Sequence, residues 1–141
     1  MLLSALKTPE DHAPALQRPV KNILIVDDSE IARIAIRTAI ENCTRFRVCG
    51  EASHGAEAVT KGPALNPDLV IMDLAMPMMN GVEAANLFKK RMPEVLVVLF
   101  TIYADEVNGP LSSAFGVTIV LSKTDGFIPL LDCLNGLLGP V

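Results

Sequence analysis

Short apolar runs that each stop at a polar residue recur along this chain, and they restrict its fold more than any other feature. Residues 22–28, NILIVDD, end in two acids. Residues 68–73, DLVIMD, end at Asp73, and residues 95–101, VLVVLFT, end at Thr101. Residues 117–123, VTIVLSK, end at Lys123. Runs that stay apolar on consecutive residues suit strands buried on both faces. Residues 46–53, FRVCGEAS, alternate only weakly, as a strand nearer a sheet edge does.

The intervening segments carry helical spacing. In residues 29–43, Ile31, Ile34, Ala35, Ala39 and Ile40 recur at that spacing, with Asp28 or Ser29 available as the cap. Residues 55–65 read as a helix that Gly62-Pro63 shortens or bends. Residues 81–92 form a helix that stops before Pro93, with Lys89-Lys90-Arg91 placed where cations suit the helix dipole. Residues 104–116 make a poor helix broken by Gly109-Pro110, and residues 125–139 close the chain with Pro129 tolerable only in the first turn. Five strands alternating with five helices predict an α/β fold. The simplest topology with right-handed crossovers is a flavodoxin-like, doubly wound five-stranded parallel sheet, strand order 2-1-3-4-5, with helices on both faces.

The 141 residues suit one domain, read as residues 21–139, preceded by an extended tail at 1–20 that carries Pro9, Pro14 and Pro19. Half the residues are apolar and 20% charged, the balance of a packed chain and not a disordered one. A net charge of −4 argues against a nucleic-acid surface. No apolar run is long enough to span a membrane, and the first residues lack the pattern of a signal peptide. Cys43, Cys49 and Cys133 match no metal or redox spacing, so they read as reduced thiols of a cytoplasmic protein. His54 reads as a surface residue at a helix start. Met72, Met76, Met78 and Met79 read as core and loop filler.

In a parallel sheet the strand ends share one edge, where open α/β folds keep their sites. Asp27, Asp28, Asp73, Thr101 and Lys123 therefore converge. A lone acid at a strand end is an ordinary turn residue, but five polar residues at four strand ends are a site. Three clustered carboxylates repel, and one ammonium does not offset them. A hard divalent ion does, and Mg²⁺ takes carboxylates, waters and phosphate oxygens. Beside such an ion a carboxylate can attack phosphorus, with the cation, Lys123 and Thr101 holding the moving group's oxygens.

The motifs IVDDSE, DLVIMDLAMPMMNGVEA, Phe100-Thr101 and Ser122-Lys123 together resemble the receiver domain of two-component response regulators, over residues 21–139. The resemblance implies that Asp73 is the phosphoacceptor, taking its group from a histidine kinase or phosphotransfer protein. It implies that Asp28 binds Mg²⁺ directly and Asp27 directly or through water, with the Ala75 backbone carbonyl as a further ligand. Thr101 would be the switch hydroxyl and Lys123 the partner of the phosphoryl oxygens. The implied chemistry is self-phosphorylation and self-dephosphorylation of a cytoplasmic signalling switch, not turnover by an enzyme. Ile102 and Tyr103 follow the Thr where a small residue is usual, which predicts narrowed access to Asp73. Val120 stands where the family's switch aromatic lies, and Thr124 stands where Pro often follows the Lys.

The expected output is a protein-interaction surface on the fourth helix, fifth strand and fifth helix. The chain reads either as a stand-alone receiver or as one cut from a longer regulator with a DNA-binding domain, and it leaves monomer and homodimer open. Two other readings compete. A haloacid-dehalogenase-like phosphohydrolase uses the same residue types, but it wants its nucleophile in an Asp-x-Asp arrangement on the first strand. An idle receiver-like scaffold would keep Asp73 without using it.

Overall fold

The computed structural model describes residues 20–107 and 116–139. Its strands are β1 (Asn22–Val26), β2 (Arg47–Ala52), β3 (Leu69–Met72), β4 (Leu96–Thr101) and β5 (Ile119–Ser122). Its α-helices are α1 (Glu30–Cys43), α2 (Gly55–Leu65), α3 (Gly81–Arg91) and α4 (Ile128–Leu138), with 3-10 turns at Ala104–Glu106 and Lys123–Asp125. The strands pair in parallel in the order β2-β1-β3-β4-β5. This is the doubly wound order expected from the sequence. The tail expected at 1–20 falls almost wholly outside the described residues, as does most of the helix expected at 104–116.

Alternation along the strands builds two cores. Leu24, Val26, Val70, Met72, Val97 and Leu99 face one side, packing with Ala58 and Val59 of α2 and with Ala84, Ala85 and Phe88 of α3. Ile23, Ile25, Leu69, Ile71, Val98 and Phe100 face the other, packing with Ile36 and Ile40 of α1 and Leu130, Leu134 and Leu138 of α4. Each fully buried side chain of this kind contributes roughly 2 kcal/mol. Asp68 fastens the opposite edge by accepting the Asn22 N–H at 2.8 Å.

Two local expectations are corrected. Helix α1 buries Ile36 and Ile40, while Ile31 and Ile34 are 80% and 56% exposed. Two apolar stripes run along this helix, and the sheet takes the one centred on Ile36. Helix α2 runs on through Pro63 without ending at Gly62. Pro63 cannot donate to the Val59 carbonyl four residues earlier, and Arg91 Nη1 of α3 reaches that carbonyl at 3.5 Å. The helix then stops at Asn66, which takes the left-handed conformation at φ 51°. The expected caps do form. Ser29 Oγ accepts the Ala32 N–H, and Pro129 sits in the first turn of α4.

Candidate functional site

The parallel ladder continues past the strand ends and sets the acids in place. The Asp27 N–H donates to the Ala52 carbonyl at 3.1 Å, and the Asp73 N–H to the Val26 carbonyl at 3.0 Å. Among the described residues the buried polar side chains are Asp27 (1% exposed), Asp73 (9%) and Thr101 (0%). Burying such groups is costly unless they are hydrogen-bonded or paired, and all three stand at the carboxyl edge of the sheet. Asp28 follows Asp27 and is exposed.

The Asp27, Asp28 and Asp73 carboxylates each offer an oxygen within 4.8 Å of the others. Lys123 Nζ reaches in from beyond β5, lying 2.7 Å from Asp27 Oδ2 and 3.5 Å from Asp73 Oδ2. The second Asp27 oxygen accepts the Ser29 N–H at 2.9 Å. Thr101 Oγ1 accepts the Tyr103 N–H at 3.2 Å, which turns the hydroxyl back over the strand end.

These neighbours pull Asp73 in opposite directions. Burial raises its pKa most, and the Asp27 charge adds to that. Lys123, the Thr101 hydroxyl and the Leu74 N–H work against it, and the net is a carboxyl held above its ordinary value. For Lys123, burial favours the neutral form, but Asp27 and Asp73 outweigh it and its pKa rises. Three carboxylates against one ammonium leave the cluster negative. The donors are all hard oxygens at close spacing, so the residues fit a small divalent cation such as Mg²⁺.

The loop after β3 is shaped against the end of that strand. The Gly81 N–H donates to the Leu74 carbonyl at 2.8 Å, and Asn80 and Glu83 form a reciprocal capping box at the start of α3. A Cβ on Gly81 would stand 2.3 Å from the Asp73 carbonyl oxygen, so only glycine fits. Ala75 lies exposed in this loop. Met78 is 87% exposed at φ 68°, whereas Met76 and Met79 pack against the core. Ile102 and Tyr103 are 58% and 41% exposed. Val120 is half-buried against the core of α2 and α3.

Two residues that sequence reasoning passed over reach this region. Arg33 of α1 donates through Nη1 to the Asp27 carbonyl and through Nε to Glu51 at 3.0 Å. Arg37 donates to the same Glu51 at 2.7 Å. The one signal in the sequence was a pair of arginines spaced one turn apart on a helix with two apolar stripes. His54 caps α2, its Nδ1 accepting the Glu57 N–H at 3.2 Å. No helix of the described residues is long and apolar enough to cross a membrane.

Comparison with known proteins finds response regulators. The response regulator protein VraR of Staphylococcus epidermidis is 35% identical over 113 residues, covering 80% of this chain and 54% of that protein. VraR of Staphylococcus aureus is 34% identical over the same shares. The chain thus spans about half the length of the curated relatives it matches. The response regulator domain of Thermotoga maritima CheB superposes with a TM-score of 0.75 at 29% identity, over 86% of this chain and all of that one. A LuxR-family two-component response regulator from Aurantimonas sp. SI85-9A1 superposes with a TM-score of 0.77 at 25% identity, over 85% of this chain and 86% of that one. The family model for the response regulator receiver domain matches residues 23–132, and the chain belongs to that family.

Proposed function

We propose that the chain is a phosphorylation-controlled switch of a two-component system, with Asp73 as the phosphoacceptor. The observation that carries this reading is the convergence of Asp27, Asp28, Asp73, Thr101 and Lys123 on one sheet edge, with three of them buried. An Asp73 carboxylate oxygen attacks the phosphorus of a phosphohistidine. The P–O bond forms as the P–N bond breaks, and the imidazole leaves with the electron pair and takes up a proton. Lys123 and Thr101 hold the oxygens of the transferred group. Asp27, Asp28, Asp73 and the Ala75 carbonyl would hold Mg²⁺, which when bound neutralises charge on the phosphoryl oxygens. The phosphoryl group's oxygens, which carry about two negative charges in place of the carboxylate's one, then draw Thr101 and Lys123 inward and reset the surface beyond them.

The donor is a histidine kinase or phosphotransfer protein. The receiver of the signal is an output protein or a DNA-binding domain; a DNA-binding response regulator of the LuxR family from Staphylococcus aureus shares the fold. The three cysteines are free thiols, which fits a cytoplasmic setting. Incubation with Mg²⁺ and acetyl phosphate, followed by intact-mass spectrometry, tests the reading. One phosphoryl adduct, absent from Asp73→Asn, is expected. Donor consumed without an adduct would favour a phosphohydrolase, and neither adduct nor consumption would favour an idle scaffold.

A further inference from the structure

We propose that Arg33 is a positioning residue for the acidic pair. Its guanidinium holds the Asp27 carbonyl and so fixes the turn that presents Asp27 and Asp28 to a divalent cation. The inference rests on the reading of this cluster as a Mg²⁺ site.

The turn at 27–29 is gripped from several sides, and the Arg33 side chain supplies one of the grips. Its Nη1 donates to the Asp27 carbonyl, while its backbone N–H makes the ordinary first-turn bond of α1 to the Ser29 carbonyl at 3.0 Å. The Asp27 N–H is already committed to Ala52 and one carboxylate oxygen to the Ser29 N–H. With its carbonyl also held, the Asp27 N–H, carbonyl and carboxylate all have partners, and Asp28 follows directly from this turn. Arg33 is 16% exposed at the side chain, so its conformation is set by packing and not by solvent. Groups that orient ligands in this way govern metal affinity without touching the metal.

A guanidinium beside a cation site would ordinarily repel the cation. Glu51 removes that objection. Burial pushes its carboxyl up, but hydrogen bonds from Arg37 and then Arg33 outweigh this and hold it below the ordinary carboxylate range. Glu51 is therefore ionised at neutral pH, and together with Glu41, which accepts from Arg37 Nη1 at 3.1 Å, it offsets the charges of Arg33 and Arg37. Arg37 shares Glu51 but does not hold the Asp27 carbonyl, which makes it the natural control.

A purely structural staple between β1, β2 and α1 would lower stability without changing cation affinity. Isothermal titration of Mg²⁺ into the whole chain, well below the unfolding temperature, separates the two. Arg33→Met is expected to weaken Mg²⁺ binding about tenfold. Arg33→Lys, which keeps a donor, is expected to recover most of that loss. Arg37→Met is expected to stay within about twofold of the parent. Binding by folded Arg33→Met equal to the parent overturns the proposal. If Arg33→Met does not fold, Arg33→Gln, whose shorter side chain carries no guanidinium, decides: it must bind Mg²⁺ more weakly than Arg37→Gln, and equality overturns the proposal. A parent chain that binds no Mg²⁺ sinks the reading of the site itself and this inference with it.

Discussion

Lys123 lies closer to Asp27 than to Asp73, at 2.7 Å against 3.5 Å. Asp27 is 1% exposed, so its carboxylate depends on this ammonium. Lys123→Ala strands a buried charge and should cost about 2–3 kcal/mol at pH 7. That corresponds to a fall of about 10 °C in the unfolding temperature of a domain this size, readable by circular dichroism. The folded-state pKa of Lys123 is raised. The pair's contribution is therefore complete below the unfolded lysine value of 10.5 and fades as pH rises through the folded one. On the alkaline side the parent and the variant should converge in stability once the ammonium is lost.

Asp73 carries the opposite linkage. Its pKa is raised by burial and by Asp27, so its ionised form opposes folding at neutral pH. Asp73→Asn should gain about 1 kcal/mol at pH 7, or about 4 °C. The gain should disappear below the unfolded value of 3.8, where the parent is also neutral. Thermal melts of both proteins at pH 7 and pH 3 check the pair of outcomes, and a variant less stable at pH 7 would refute it.

Glu57 stabilises the start of α2. Its hydrogen bond with Lys61 and those from Ser53 hold its carboxyl down at about 2. A depressed value means stability that is present above the ordinary 4.5 and lost as pH falls toward 2. With the side chain nearly a third exposed, screening leaves a net worth of about 1 kcal/mol. Glu57→Gln should lose that amount at pH 7 by urea titration and nothing at pH 2.

Gly81 admits no side chain. Gly81→Ala drives its Cβ against the Asp73 carbonyl and also to 3.0 Å from Leu74 Cα. Backbone must shift, at a cost of about 2–3 kcal/mol. Labelling of Asp73 by acetyl phosphate should slow in the same variant, because the displaced backbone belongs to the acceptor itself.

The sheet and its polar edge were readable because the strands are buried on both faces. Ile23 to Val26 and Leu69 to Met72 are apolar without a gap, so Asp27 and Asp73 stand out where they stop. The lining of α1 was not readable in the same way. Ile31 and Ile34 keep helical spacing as well as Ile36 and Ile40 do, and the sheet and α4 together decide between them. The carbonyl that Pro63 leaves without its helical donor is met by Arg91, a side chain from another helix. The hold of Arg33 on a backbone carbonyl leaves no periodic trace either. Long-range bonds from side chain to backbone are where a pattern of residue types says least.

The contact between Gly81 and the Asp73 carbonyl leaves no slack between the acceptor and the helix that follows it. Close-packed interiors transmit displacement instead of absorbing it. Helix α3 is 11 residues long, a rod of about 16 Å. Its far end is tied down by Lys89, whose Nζ donates to the Pro93 and Val95 carbonyls at 2.8 Å each as the chain enters β4. Asp73 thus adjoins one end of a lever whose other end is hinged at the opposite rim of the sheet.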